Sequence, residues 1–397
     1  MIGRTRNLST HTTPHILFIA PQPFYEDRGT PIANHQALVA MSDLGFKVDL
    51  ATFPIGSDLA LPGIRLFRTA NPFRFRSVPI GLSFRKIVLD VCLLMTVLRL
   101  VKRNHYDCIQ GVEEGAALAL AFKALRDIPV IYDMQSSLPE QLRKVWWLRA
   151  GPGGWTSRQL ERWLVRNADC ILASSGLAPH VSAIDPQKPV FECSYTGSNP
   201  RPNNKELEKS LGITGRPTVV YTGTFAPYQG LEDLLEAAVL VRAEIPGVVF
   251  ILVGGTGPEL NHFRKLVEKC GLADTVKLQL RRPRQEIPDF LALADVLVLA
   301  RKSGKNVPLK IYDYLESEKP IVATNIPAHR AILNEKTAVL VEPDPEALSG
   351  GILRALTDTD LSKKADRPED TSLSDNNMKS LRETIAEAYR QVIDKSL

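Results

Sequence analysis

No run of apolar residues in this sequence is long enough to cross a bilayer, which takes about 20 residues. The nearest candidate, Ile87–Val101, is shorter and is broken by Asp90 and Arg99. The segment Met1–His15 is polar and lacks the apolar core of a secretion signal, so the expected location is the cytoplasm. Asn7-Leu8-Ser9, a glycosylation acceptor in form, then reads as a chance match. Cysteine is scarce: five residues, at 92, 108, 170, 193 and 270, with no C-x-x-C pair. An odd, unpaired set favours a reducing compartment and argues against a zinc site. None of the 7 histidines is paired at metal-ligand spacing, and neither a G-x-S-x-G elbow nor a Walker loop is present. Hydrolase and kinase readings therefore lack their usual signatures. Charge of one sign is also limited. Lys and Arg number 49 against 44 Asp and Glu, a surplus of +5 that is too small to argue for nucleic acid.

What is present is the material of a globular α/β protein. Hydrophobic residues make up 44% and charged residues 23% of 397, which excludes collagen, a disulfide scaffold and a wholly disordered chain. Single cores stop growing at about 250–300 residues, so two domains are expected. Strand-like runs (His15–Ala20, Lys47–Phe53, Tyr106–Val112, Pro129–Met134, Ala168–Ser174) alternate with helical patterns (Ile32–Leu44, Ala116–Leu125, Pro139–Trp147, Leu177–Ala183). The alternation stops between Tyr195 and Thr218, where Thr196–Asn204 is dense in turn formers and reads as a linker. It resumes with strands Thr218–Thr222, Val248–Val253, Thr275–Leu280, Val296–Ala300 and Pro320–Thr324, separated by helices. Repeated βα units imply parallel sheets with helices on both faces. The expected division is 1–197, 198–364, and a polar loop with a final helix over 365–397. In such sheets ligands bind beyond the carboxyl ends of the strands, and two domains would set two such edges across a cleft.

Three loops at strand ends could carry chemistry. Asp27-Arg28-Gly29-Thr30-Pro31 precedes a helix; Gly29 would admit a phosphate and Thr30 would cap the helix. An ordinary βα turn fits equally. Gly254-Gly255-Thr256-Gly257-Pro258 follows a strand, but it does not satisfy the dinucleotide fingerprint. Arg301–Leu315 runs from a strand end into a helix. Lys310 lies in its first turn, where the helix dipole disfavours a cation and a bound anion would explain it. Asp313, one turn on, would accept ribose hydroxyls or simply pair with Lys310 at the surface. Asp133 and Gln135 close another strand and should face the cleft. Glu113 and Glu114, at the end of a further strand, serve either acceptor hydroxyls or a helix N-terminus.

Taken in order, Pro21–Ile32, Tyr132–Leu142, Tyr221-Thr222-Gly223-Thr224-Phe225 with Tyr228-Gln229-Gly230-Leu231, Leu252–Leu260 and Pro308–Thr324 resemble a known family. It is the large family of retaining GT-B glycosyltransferases that includes sucrose and glycogen synthases and bacterial mannosyltransferases. The resemblance runs from about His15 to Leu356 and implies two Rossmann-like domains. It also implies a nucleotide-sugar donor held mainly by the C-terminal domain and an acceptor held mainly by the N-terminal one. Transfer would retain configuration and need no metal or other cofactor. On this basis Gly29, Thr30, Asn306, Pro308, Leu309 and Lys310 would hold the diphosphate, and Asp313 the ribose. Gly223, Thr224, Gln229 and Gly254 would complete the donor set, while Gln135 and Asp133 would line the acceptor side. The family's two glutamates correspond to Lys305 and Asp313, its diphosphate-neutralising Arg and Lys to Thr224 and Gln229, and its N-terminal histidine to Gln135. Arg301, Lys305 and Lys310 are the candidates to restore the positive charge. A sugar-nucleotide epimerase on the same fold and a non-catalytic scaffold are the alternatives.

Residues Arg65–Arg103 hold nine basic side chains and one acid, Asp90, against the +5 of the whole chain. Phe73, Phe75, Phe84 and the apolar Ile87–Val101 are interleaved with them. This pattern suits anionic lipid headgroups around a lipid-linked acceptor at the cytoplasmic face; a buried helix with solvated ends is the alternative.

Overall fold

The computed structural model describes residues 13–58, 60–78, 83–142, 152–358 and 373–394. The later part of the expected helix Pro139–Trp147, and most of the polar stretch before the final helix, lie outside them. The chain forms two compact units, Met1–Cys193 with Lys379–Leu397, and Ser194–Met378. No helix among the described residues is long and apolar enough to cross a membrane.

The first unit is a parallel sheet of β1 (His15–Ala20), β2 (Lys47–Thr52), β3 (Ile64–Arg68), β4 (Cys108–Val112), β5 (Val130–Met134), β6 (Cys170–Ser174) and β7 (Val190–Cys193). The spatial order is β3-β2-β1-β4-β5-β6-β7. Central strands such as β4, β5 and β6 are buried along their whole length, as expected of strands covered on both faces. The helices are α1 (Gly29–Asp43), α2 (Phe84–Arg103), α3 (Gly115–Arg126), α4 (Leu138–Leu142), α5 (Pro152–Asn167) and α6 (Ala178–Ser182). Register puts Ile19 beside Ala51, and Tyr132 beside Gly111 and Ile171. That face packs against Leu89, Leu93 and Val97 of α2, Ala116 and Leu120 of α3, Leu164 and Val165 of α5, and Val181 of α6. These helices therefore form one layer.

The second unit is a parallel sheet of β8 (Thr218–Thr222), β9 (Val249–Gly255), β10 (Val276–Leu280), β11 (Val296–Leu299), β12 (Ile321–Thr324) and β13 (Val339–Val341), ordered β10-β9-β8-β11-β12-β13. Its helices are α7 (Lys205–Leu211), α8 (Leu231–Glu244), α9 (Gly257–Lys269), α10 (Ile287–Ala292), α11 (Lys310–Glu316), α12 (Pro327–Arg330) and α13 (Pro345–Thr357). In both sheets the strand order reverses at the centre, between β1 and β4 and between β8 and β11. That reversal is where an open α/β sheet leaves a crevice for a ligand.

Helix α7 follows directly on the linker Thr196–Asn204, within the stretch between Tyr195 and Thr218 where the alternation stops. Asn204 caps it by accepting the Leu207 N–H at 3.1 Å, and Gly212 ends it in a left-handed conformation. The final helix, α14 (Leu373–Ile393), returns to the first unit. Leu381, Ile385, Tyr389 and Val392 are buried, and Tyr389 packs edge-on against Phe46.

Candidate functional site

At the reversal point of the second sheet the end of β8 meets the end of β11 and the start of α11. Tyr314 of α11 is buried, and its hydroxyl accepts the Thr222 N–H at 2.8 Å, which ties the helix to β8. Lys310 is thereby turned inward. Its Nζ lies 3.9 Å from the centre of the Tyr221 ring and 3.3 Å from Gln229 Oε1. Burial, followed by the positive charge of Arg301, holds the ammonium well below its ordinary pKa. Among the described residues no carboxylate lies within ion-pair distance of Lys310.

Two glycines expected to touch ligand have a local reason to be glycine. Gly223 has φ +133, and a Cβ there would sit 2.5 Å from Lys310 Nζ. Gly254 has φ +126, and its Cβ would fall 2.2 Å from the Gly223 carbonyl oxygen. Together they make the space that Lys310 occupies. Thr224 is exposed, and its carbonyl accepts the Tyr221 hydroxyl at 2.8 Å. Gln229 is buried in a turn that closes with Gly230.

Arg301 is also buried, with its guanidinium 5.2 Å from the Tyr228 ring centre. It donates to the Asn306 carbonyl at 3.1 Å and to Asn306 Oδ1 at 3.2 Å, so it shapes the loop that carries Asn306 toward Pro308 and Leu309. A Cβ on Gly304 would lie 2.4 Å from that guanidinium. Pro308 and Leu309 are half-buried ahead of α11, with their carbonyls accepting the Ile311 and Tyr312 amides. Lys305 is exposed, and Lys302 is turned to Asp233 at 2.8 Å. His329 is buried and donates through Nδ1 to the Thr324 carbonyl at 2.8 Å; burial pushes its pKa down to about 4, so it is neutral.

The surface pair of Lys310 with Asp313 does not form. Asp313 is buried, and its Oδ1 accepts the Ser198 N–H at 2.7 Å and Arg284 Nη2 at 3.1 Å. The chain entering the second unit runs close by, since a Cβ on Gly197 would lie 2.4 Å from the Tyr312 carbonyl oxygen. Neither Arg284 nor Ser198 was singled out from sequence. The run Arg281-Arg282-Pro283-Arg284, just after β10, was the visible signal for the first.

The first unit assembles a different chemistry. Asp133 is buried on β5; Gln110 of β4 donates to its Oδ2 at 2.7 Å and Gln135 to its Oδ1 at 2.5 Å. Ser174, at the end of β6, donates to Gln135 Oε1 at 2.9 Å. From α14, the Tyr389 hydroxyl donates to Gln110 Oε1. Burial pushes Asp133 up to about 6, with the two glutamine bonds acting against the shift. Glu113, at φ 51, is buried and accepts from Ser136 at 3.1 Å; burial and then the Glu114 charge drive its pKa well up. Glu114 pairs with Lys86 and makes no capping bond to α3.

Thr30 is not the cap of α1. The helix begins at Gly29, so the N-cap is Arg28, which has no side-chain capping bond and pairs with Glu26 at 3.2 Å. A Cβ on Gly29 would meet nothing within 4 Å. The first turn of α1 therefore keeps amides without a side-chain cap, the condition under which a helix start takes an anion.

Residues 203–370 match the family described as glycosyl transferases group 1, and residues 29–178 match the glycosyl transferase 4-like domain. A GDP-mannose-dependent alpha-(1-6)-phosphatidylinositol monomannoside mannosyltransferase of Mycobacterium tuberculosis is 33% identical over 144 residues, 34% of this chain and 37% of that one. An alpha-D-kanosaminyltransferase of Streptomyces kanamyceticus is 26% identical over 162 residues, 40% of this chain and 41% of that one. The chain thus matches about two-fifths of the length of these curated relatives. Among solved structures, sucrose-phosphate synthase from Thermosynechococcus elongatus superposes with a TM-score of 0.73 at 19% identity, covering 96% of this chain and 97% of that one.

Proposed function

The chain belongs to the group 1 glycosyltransferases, with the GT-B fold of two parallel-sheet domains, and from that we propose that it transfers a sugar from a nucleotide-sugar donor to a glycan or lipid-linked hydroxyl acceptor. The observation that carries this reading is the pair Arg301 and Lys310. A buried arginine and a half-buried lysine stand together at the reversal point of the second sheet, and among the described residues Lys310 makes no ion pair with a carboxylate. A diphosphate would offset the cost of burying both. Where the resemblance implies an Arg and a Lys this chain has Thr224 and Gln229, so the neutralising charge comes from Arg301 and Lys310, the latter 3.3 Å from Gln229.

In the reaction the acceptor oxygen bonds to the anomeric carbon as the bond from that carbon to the diphosphate breaks. The acceptor proton passes to the departing diphosphate, and the configuration is retained. Arg301 and Lys310 stabilise the negative charge that develops on the leaving group, the main catalytic term expected of such a site. Asp313, fixed by Arg284 and Ser198, keeps acceptor capacity for the ribose. The network of Asp133, Gln135 and Glu113 binds the acceptor. No metal or cofactor is required beyond the donor. Helix α2 and its basic flanks rest on an anionic membrane surface at the cytoplasmic face, which suits a role in cell-surface polysaccharide or glycolipid synthesis.

A panel of nucleotide sugars tests the reading. One donor should stabilise the protein against heat and turn over with acceptor. Saturable binding without turnover would make it a binding protein, and isomerised donor without acceptor would make it an epimerase. Sedimentation with anionic vesicles tests α2: replacing Arg99, Lys102 and Arg103 by Gln should weaken binding about a hundredfold.

A further inference from the structure

The large apolar side chains left exposed are distributed unevenly. Among the described residues of the second unit they are Leu240 and Leu280; in the first they include stripes on α2 and α5, two helices of the same layer. On α2 the stripe is Ile87, Val91 and Met95, at helical spacing and opposite the buried Leu89, Leu93 and Val97. On α5 it is Trp155 (59% exposed), Leu160 (43%) and Trp163 (45%). The inner face of α5 is formed by Ser157, Glu161 and Leu164, which are buried. Glu161 accepts the Leu138 N–H at 2.9 Å and contacts His180 at 3.0 Å, so the one acid of the helix is used internally. The outer face adds Arg158, Arg162 and Arg166, all exposed and at i, i+4 and i+8.

We propose that α5 is a second, tryptophan-anchored contact with an anionic lipid bilayer, made by the helical layer that also presents α2. Indoles settle at the boundary between headgroups and acyl chains, where the ring is half in hydrocarbon and the N–H stays wet. Arginines interleaved with them meet lipid phosphates. Of the chain's 4 tryptophans, Trp155 and Trp163 stand on this face of α5. Nucleic acid fits less well, because Ile87, Val91, Met95 and Leu160 offer aliphatic surface that neither pairs nor stacks with bases. Trp, Met and Arg are also enriched where proteins meet, so a protein partner is separated from the bilayer by the vesicle measurement below. The inference rests on the reading that the first unit meets a membrane through α2, and extends it to a site with its own spectroscopic reporter.

The test uses the full chain carrying Trp146→Phe and Trp147→Phe, so that Trp155 and Trp163 are the emitters. It is mixed with vesicles of phosphatidylcholine and phosphatidylglycerol whose acyl chains are brominated. The expected result is a blue shift with severalfold quenching, lost in high salt. Independently, in the otherwise unchanged chain, Arg158→Gln with Arg162→Gln and Arg166→Gln should weaken vesicle partitioning about a hundredfold while circular dichroism stays the same. Co-sedimentation with unshifted, unquenched emission overturns the α5 contact and leaves α2 as the membrane face. Absence of co-sedimentation at low salt overturns both. Binding to a single-stranded oligonucleotide that depends on the same arginines, without vesicle binding, overturns it in favour of nucleic acid.

Discussion

The strand ends of the two units solve burial in opposite ways. In the first, acids and amides are gathered into a closed hydrogen-bonded set, and desolvation pushes Asp133 and Glu113 toward the neutral acid. In the second, cations are gathered, and desolvation pushes Lys310 toward the neutral amine. The physical cause is the same, yet the partners differ: Asp133 has Gln110 and Gln135 and Arg301 has Asn306, whereas Lys310 has one long bond to Gln229 and a ring face. A polar cluster satisfied internally reads as a shaped surface. A cation held without an anion reads as a place for one.

The strongest way to break this contrast is to replace Arg301 and Lys310 together by Met. Turnover should fall by about 10³-fold, as for loss of transition-state charge stabilisation, while the unliganded protein melts no lower because two desolvated charges are gone. Unchanged turnover with a lower melting temperature would show that the pair is structural. Next is Gly254→Ala, where overlap with the Gly223 carbonyl oxygen and a positive φ should cost about 3 kcal/mol in denaturant unfolding. An unaltered midpoint would mean the Lys310 niche is not tightly built.

Titration then sharpens the opposition. Asp133 has a folded pKa near 6 against 3.8 for the free group. A raised carboxyl pKa contributes stability that is fully present below about 4 and lost as pH rises through 6. Asp133→Asn should therefore gain on the parent by about 2 kcal/mol between pH 4 and pH 7.5, seen as diverging unfolding curves. Lys310 gives the opposite sign on the ligand side. Its pKa is depressed, and a diphosphate favours the ammonium, so donor binding should take up protons and weaken as pH rises. Calorimetry in buffers of different ionisation enthalpy reads that uptake, and a release of protons would contradict it. The smallest effect is Tyr389→Phe, which should cost about 1 kcal/mol of stability and leave donor affinity untouched; a shift in donor affinity would mean the two sets are not independent.

Uniform burial marks most of the strands legible in the sequence, although β10, a partly buried edge strand, is legible as well. Continuous apolar runs marked β1, β4, β5, β8 and β11, all at sheet centres. The strands β3 and β7 sit at sheet edges and are only partly buried, so neither alternation nor a continuous run marks them, and the apolar run of the edge strand β13 is only three residues long. Helix α5 escaped because tryptophans on its outer face blur the apolar stripe. At the site, Lys310 and Asp313 stood out by their position in one helix. Two partners did not stand out, Arg284 of Asp313 and Gln110 of Asp133, because Arg284 lies 29 residues before Asp313 and Gln110 lies 23 before Asp133. Side-chain pairing across strands and loops is decided by the fold, and local spacing does not carry it.

Helix α14 gives the first unit an odd biography. Its sheet is complete in sequence by Cys193, but the lid over Gln110 and Asp133 is Tyr389, which leaves the ribosome only after the whole second unit has been made. The nascent first unit must therefore wait with the Gln110 carbonyl oxygen unpaired by its final partner, while the second unit can fold on schedule. Maturation should run backwards relative to synthesis, with the last helix closing the first domain.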